Sequence, residues 1–338
     1  MTGNDGFGIK KIGSKGLVFL LTFAVAFVGF SFLPAPFGGS GELRALEKKN
    51  KRIISLYAAH TEVLIRLGAR DSLVGVSLQE TYDGPEVRGW TWPEKFSVQD
   101  DVEKFLVANP DIVLIRPQHL GSNSHLFDSL KNSGIEVWVK QTVDHSDLYD
   151  YWAEIGAICG LPPETAAKLV SDFKEKLVPY EAYGARTDKP GVFLESVHRE
   201  IKTFTPESIP VWVLNMAGGK NVAGDAEAAR KGLVVANYGP EKLLEKADLV
   251  DVFISQNGPM NTVPLEVILS RDIYQLLPAF RNERVYKIPE ELISRPTPSL
   301  LKGIELMHRM LYPNDPVTLS EDVPLEGPEA AGNPPAAN

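Results

Sequence analysis

A chain of 338 residues, 43% of them apolar and 23% charged, has the composition of a globular protein able to bury one large core or two modest ones. Its formal net charge of −9 leaves no basic excess to neutralise phosphates, which excludes a general affinity for nucleic acid or anionic lipid. The single cysteine, Cys159, excludes an internal disulfide and any cysteine-based zinc or iron–sulfur centre within one chain.

The N-terminus carries Lys10, Lys11 and Lys15, then an uncharged apolar run from Leu17 to Leu33, then Pro34, Pro36 and the small residues Gly38, Gly39, Ser40 and Gly41. A positive segment, an apolar segment and a helix-breaking stretch of small residues form the pattern of an export signal, placed at 1–41. The apolar run is about as short as a membrane span can be, and no clean A-x-A site follows it, so cleavage and retention as an anchor both stay open. No cysteine lies near residue 35, so attachment as a bacterial lipoprotein is not expected.

From Arg52 short apolar runs alternate with amphipathic ones. Ile53–Leu56 reads as a strand, Thr61–Leu67 as a helix closed by Gly68, and Leu73–Val76 as a second strand. Val102–Ala108 is a helix stopped by Asn109-Pro110, and Ile112–Ile115 a β-branched buried strand. Phe127–Asn132 is a helix and Val137–Val139 a strand. Strands alternating with helices pair in parallel through right-handed crossovers, which predicts a first α/β lobe over about 50–145. The texture then becomes helical over 146–189. Asp147–Cys159 is one helix, and Pro163 opens a long one to about Tyr183, with Ala166, Leu169, Val170, Phe173 and Leu177 on one face. Alternation resumes over 190–313 as a second α/β lobe. Its strands are Val192–Ser196, Val252–Ile254 and Val285–Ile288, and its helices Val211–Ala217, Glu241–Ala247 and Ser299–Leu311. Residues 314–338, rich in Pro, Gly, Ala and acid, form a disordered tail.

The two lobes repeat a pattern. Val102-Glu-Lys-Phe-Leu106 leads to Asp111-Ile-Val-Leu-Ile115, and Pro240-Glu-Lys-Leu-Leu244 leads to Asp251-Val-Phe-Ile254. Its recurrence at one place in each lobe favours a pseudo-symmetric pair.

At these positions the chain resembles the periplasmic substrate-binding proteins of iron-siderophore and cobalamin importers. Thr61-Glu-Val-Leu with Leu67-Gly-Ala69 and Leu73-Val-Gly-Val76 is similar to that family's opening unit. Val102-Glu103 to Asn109-Pro-Asp-Ile-Val113, Ala217-Gly-Gly-Lys-Asn-Val-Ala223 and Arg295-Pro-Thr-Pro298 are similar to later ones, so the likeness covers about Ile53 to Pro313. The resemblance implies two α/β lobes joined by one rigid long helix, the helical-backbone class of binding protein. It also implies a monomer that hands a metal chelate to an ABC permease and its ATPase, without enzymatic turnover or a resident cofactor; a chain that kept its N-terminal anchor could instead serve as a ligand sensor on the same frame. Glu103 and Glu241 fall where that family places the acids that dock on permease arginines. Read from the residues alone, each is equally an acid in the first turn of a helix, favoured there by the helix dipole.

In parallel α/β sheets ligands bind beyond the carboxyl ends of the strands. The candidates in the first lobe are therefore Tyr57, His60, Tyr82, Trp90, Trp92, Arg116, His119 and His145. In the second they are Glu195, His198, Arg199, Gln256, Asn257 and Arg295. Three readings stay open. In the first, Trp90, Trp92 and Tyr82 supply flat apolar contact to a chelate or organic ligand while Arg116, Arg199 and Arg295 hold its oxygens. In the second, His60, His119, His145 or His198 with Glu195 ligates a metal, or a histidine caps the metal of a bound chelate. In the third, the arginines and backbone amides hold a metal oxyanion. No Ser-His-Asp order, H-E-x-x-H, G-x-S-x-G or phosphate loop appears, which leaves hydrolysis without a visible nucleophile. Cys159 reads as a small buried hydrophobe.

Overall fold

A computed structural model describes residues 51–230 and 232–315, together with Leu325 and Gly327. The predicted export signal and nearly all of the predicted tail lie outside the described residues. Leu325 departs from the expectation for the tail, because its side chain packs against the core.

The first lobe runs β1 (Ile53–Ser55), α1 (Ala58–Arg66), β2 (Leu73–Ser77), β3 (Glu94–Phe96), α2 (Val102–Ala108), β4 (Ile112–Ile115), α3 (Leu120–Asn132) and β5 (Glu136–Val139). Its sheet is parallel throughout, in the order β3-β2-β1-β4-β5. Two helices follow, α4 (Leu148–Ile158) and α5 (Pro163–Gly184). Pro163 begins α5 as expected, at the position where its missing N–H costs nothing.

The second lobe comprises β6 (Gly191–Glu195), β7 (Lys202–Phe204), α6 (Ile209–Met216), β8 (Lys220–Asn221), β9 (Val235–Asn237), α7 (Gly239–Glu245), β10 (Val252–Asn257), α8 (Leu265–Leu269), α9 (Pro278–Arg281), β11 (Val285–Pro289), α10 (Glu290–Ile293) and α11 (Leu300–Leu311). Its main sheet is parallel in the order β11-β10-β6-β8, and β7 and β9 form a small antiparallel pair. The short β3, β7, β8 and β9 and the short helices α8 to α10 carry too little periodic apolar sequence to have been predicted.

The repeated acid-containing unit has a structural counterpart. Asp111, just before β4, accepts a hydrogen bond from the backbone N–H of Arg52 at 2.7 Å, at the entry to β1. Asp251, just before β10, accepts one from the backbone N–H of Gly191 at 2.7 Å, at the entry to β6. In both lobes one aspartate ties the start of the first strand to the strand beside it. Asn109 ends α2 in the left-handed region (φ 46°), a conformation asparagine tolerates better than most residues.

Strand side chains alternate between two cores. Ile54, Val113 and Ile115 join Phe96, Phe105 and Phe127 in a cluster private to the first lobe. Phe193 and Phe253 join Tyr274, Phe280 and Leu243 in one private to the second. The opposite faces share one cluster: Ile53, Ile112 and Leu114 from the first sheet and Val192, Leu194, Val252 and Ile254 from the second. It continues through Trp152 of α4, Phe173 and Leu177 of α5, Leu214 of α6, and Ile304 and Met307 of α11.

Buried polar contacts reinforce this junction. The Trp152 indole Nε1–H donates to the Pro296 carbonyl at 2.8 Å. Glu62 of α1 accepts from the backbone N–H (3.0 Å) and the hydroxyl (2.6 Å) of Ser299, at the N-terminus of α11. The carboxylate of one lobe thus caps the last helix of the other, where four backbone N–H groups lack partners within the helix.

Candidate functional site

The strand order of each sheet reverses direction beside its first strand. In the first lobe this switch lies between β1 and β4, and in the second between β6 and β10. Crevices form at such points because the crossover helices depart to opposite faces. A cavity of about 440 Å³ lies where the carboxyl ends of the two sheets face each other.

The first lobe lines the cavity with Leu56, Tyr57 and Ala58 after β1, Ser77 to Gln79 at the end of β2, Phe96 to Gln99 after β3, and Arg116, Gln118 and His119 after β4. The second lobe adds Gln256, Pro259 and Met260 from the end of β10, and Glu290 and Arg295 after β11.

Tyr57, Arg116 and His119 form one unit. The Arg116 guanidinium lies over the Tyr57 ring, 4.9 Å from its centroid. Its Nε–H donates to His119 Nε2 at 3.4 Å, so the ring proton of His119 sits on Nδ1. Burial, and then the Arg116 charge, push the His119 pKa down to about 4, so the ring is neutral at physiological pH. Burial pushes the Tyr57 phenol up to about 12 despite the neighbouring guanidiniums. Arg295 reaches across from the second lobe and donates from Nη1 to Thr81 Oγ1 at 2.9 Å. Its Nη2 lies 3.6 Å from Glu290 Oε2.

Gln256 is held by hydrogen bonds on both sides. Its Nε2 donates to the Ser196 carbonyl at 3.4 Å and its Oε1 accepts from Ser294 Oγ at 2.8 Å. Behind it the fully buried Glu195 accepts from Tyr274 OH (2.5 Å), Ser255 Oγ (2.7 Å) and His198 Nδ1 (3.2 Å). Asn261 joins this network to the loop after β10 by donating to Ser255 Oγ and the Gln256 carbonyl. Glu195 therefore fixes one wall of the cavity without facing into it.

The other expected residues stand elsewhere. His60 lies behind the wall, fully buried among Tyr57, Trp138 and Tyr151. Its Nε2–H donates to the Lys140 carbonyl at 3.0 Å, and burial pushes its pKa down to about 3. It leaves the cavity because α1 begins at Ala58, three residues earlier than predicted, and turns the ring inward. Tyr82, Trp90 and Trp92 sit on the loop between β2 and β3, which folds back over the end of α1. Glu86 pins that loop by pairing with Arg66 at 2.6 Å and accepting from Tyr82 OH at 2.5 Å, while Arg70 lies over the Trp90 ring. Trp90 and Trp92 pack on each other with their rings tilted, 4.9 Å between centroids, against the core. His198 and Arg199 are carried off by the turn from β6 into β7, where Ile201 takes a positive φ of 48°. His145 stacks on Trp212, and Asn257 is half-buried beyond the cavity wall. The cavity residues Gln79, Gln99, Gln118, Met260 and Glu290 were not anticipated, because glutamine and methionine in loops carry no spacing signal. Among the described residues no group of three or more His, Cys, Asp or Glu side chains converges as a metal site.

Glu103 and Glu241 occupy matching places in the first turns of α2 and α7, both exposed. In each helix the second residue after the glutamate is fully buried (Phe105, Leu243) and the third is exposed (Leu106, Leu244).

Two parallel sheets whose strand ends face one cavity, fixed by a shared helical core, define a bilobal binding protein. The family model for periplasmic binding proteins matches residues 53–292, and the chain belongs to that family. It is 27% identical over 278 residues to an uncharacterized ABC transporter substrate-binding lipoprotein of Bacillus subtilis, covering 80% of this chain and 82% of that one. It is 25% identical over 256 residues to a vitamin B12-binding protein of Vibrio parahaemolyticus, covering 75% and 86%. Among solved structures, a periplasmic solute-binding protein of Staphylococcus epidermidis, described as a possible iron binder, superposes with a TM-score of 0.67 at 25% identity, covering 78% of this chain and all of that one (100%). A periplasmic haem-binding protein of Roseiflexus shares the fold, with a TM-score of 0.63 at 17% identity over 78% of this chain and 98% of its own.

Proposed function

We propose that this protein is the solute-binding subunit of an ABC importer, working outside the cytoplasmic membrane and capturing a metal chelate in the cavity between its lobes. The observation that carries this reading is the pair of guanidiniums, Arg116 and Arg295, brought from opposite lobes to one cavity at the strand ends. Paired, planar donors suit the oxygen-rich surface of a chelate. The binding-protein family and the relatives named for vitamin B12, haem and iron support it. In this reading Glu103 and Glu241 dock on basic residues of the permease, and the shared core holds their separation fixed.

Calorimetric titration of the purified protein with ferric siderophores, haemin, corrinoids and molybdate tests the ligand. At least one metal chelate binds at submicromolar Kd; silence toward all of them sinks the reading. Glu103→Lys and Glu241→Lys test the docking. Each keeps the fold and the ligand affinity but loses uptake when reconstituted with the importer, and unchanged uptake in both would remove the docking role.

A further inference from the structure

Resting on the chelate reading, we infer that the cavity selects a compact, anionic chelate whose metal is fully coordinated by the ligand itself, and rejects corrinoids and neutral chelates. Three observations converge on this.

The first is charge. The chain carries a formal net charge of −9, yet the ionisable side chains on the cavity wall are two guanidiniums, one carboxylate, a neutral imidazole and the neutral Tyr57 phenol. The carboxylate, Glu290, already faces Arg295 at 3.6 Å. A positive spot in an acidic protein attracts anions locally and confers no general affinity for polyanions. Each arginine is also oriented before any ligand arrives: Arg116 by the Tyr57 ring and His119, Arg295 by Thr81.

The second is the poverty of metal ligands on the wall: Glu290 is already paired with Arg295, and the Met260 thioether is a soft donor poorly suited to ferric iron. Among the described residues His119 is the one histidine that lines the cavity, and its Nε2 lone pair accepts from Arg116. Its remaining nitrogen is an N–H donor. Tyr57 would have to ionise to bind ferric iron, and its burial opposes that. The cysteine is elsewhere, buried near α4. A chelate with an open coordination position gains nothing from such a wall, whereas one with a complete shell needs only its outer oxygens recognised.

The third is shape. The cavity holds about 440 Å³, within the lower half of the range for drug-sized ligands, roughly 300–1,000 Å³, which suits a compact ligand. The tryptophan pair that would give a large flat ring its platform is turned to the core on the far side of the β2–β3 loop.

The test is a calorimetric panel on the whole protein: ferric citrate, a ferric tris-catecholate, a neutral ferric trihydroxamate, haemin and cyanocobalamin. An anionic ferric chelate should bind at least about tenfold more tightly than the neutral one, haemin or cyanocobalamin. Arg116→Gln and Arg295→Gln should each weaken it by about 10- to 100-fold, the loss of a charge-assisted hydrogen bond. Raising the salt should weaken it further in the wild type, which keeps the inference testable if either variant misfolds. The visible band of the bound ferric chelate should stay unshifted, since no protein atom enters its coordination shell. Equal or tighter binding of the neutral chelate or cyanocobalamin, or a new tyrosinate-to-iron band, overturns the inference and leaves the importer reading intact. Failure of every chelate overturns both.

Discussion

Replacing Glu62 by alanine should unfold the protein more readily than any loss of packing at that position explains. Glu62 is buried (6% exposed) and its Oε1 takes two hydrogen bonds from Ser299, one from the helix N-terminus and one from the hydroxyl. Removing the carboxylate strands two buried donors at about 1–3 kcal/mol each, so the expected cost is about 3 kcal/mol. For a chain of this size that corresponds to a Tm lower by roughly 4–6 °C. Glu62→Gln keeps an acceptor oxygen and should cost about 1 kcal/mol or less. The pH dependence separates the two effects. Burial raises the Glu62 pKa above its ordinary 4.5, with the Ser299 hydrogen bonds opposing the shift in part. Between 4.5 and the raised value the folded state holds the proton that the unfolded state has released. Stability from this group is therefore fully present below pH 4.5 and declines as pH rises through the folded value. Thermal and urea unfolding from pH 4 to 8 should show this decline in the wild type and a flatter profile in Glu62→Gln. An alanine variant within about 0.5 kcal/mol of wild type, or a glutamine variant with an unchanged profile, refutes the inter-lobe cap.

Three further outcomes follow from single residues. Gly303→Ala adds a methyl group in the middle of α11, which helix propensity alone would favour by about 1 kcal/mol. Its Cβ would fall 2.0 Å from the Leu292 carbonyl oxygen, so calorimetry should instead show destabilisation of about 2 kcal/mol. The Cys159 thiol, pushed up to about 12 by burial, should resist alkylation in the native protein at pH 8 and react at once in denaturant. His60, held near 3 by burial, should keep a neutral imidazole NMR signature down to about pH 4, and a midpoint near 6.5 would show that the ring is solvated.

Much of the fold is legible in the sequence where one local signal is unopposed. The helix Val102–Ala108 and the strand Ile112–Ile115 match their predicted limits, because Asn109-Pro110 stops the helix and four consecutive apolar residues suit a strand buried on both faces. Each of the two parallel sheets comes from one stretch of the chain, but the cores do not separate in the same way. Periodicity reveals that a face is apolar, not which partner covers it, and so gave no sign of the single cluster spanning both sheets. The site was legible in the same measure. Tyr57 and Arg116 follow strands without an intervening turn, and the strand-end rule finds them. Trp90, Trp92 and His198 also follow strands, but in loops whose course is set by distant partners, Arg66 of α1 holding Glu86 for one, and Asn261 and Arg271 holding the backbone of His198 for the other. Those long-range contacts have no local signature.

The shared cluster makes the two lobes one cooperative unit, and this constrains how the protein can be varied. Residues of β1 and β4 and residues of β6 and β10 belong to one cluster with side chains of α4, α5, α6 and α11. Neither lobe can be expressed alone without exposing half of that cluster to water. A chimera that takes one lobe from a relative must bring the helices with it. The cavity loops after β3 and β4 pack on the cluster private to the first lobe, so they can diverge without disturbing the junction. Specificity can therefore change by loop replacement, while exchange of whole lobes is closed to recombination.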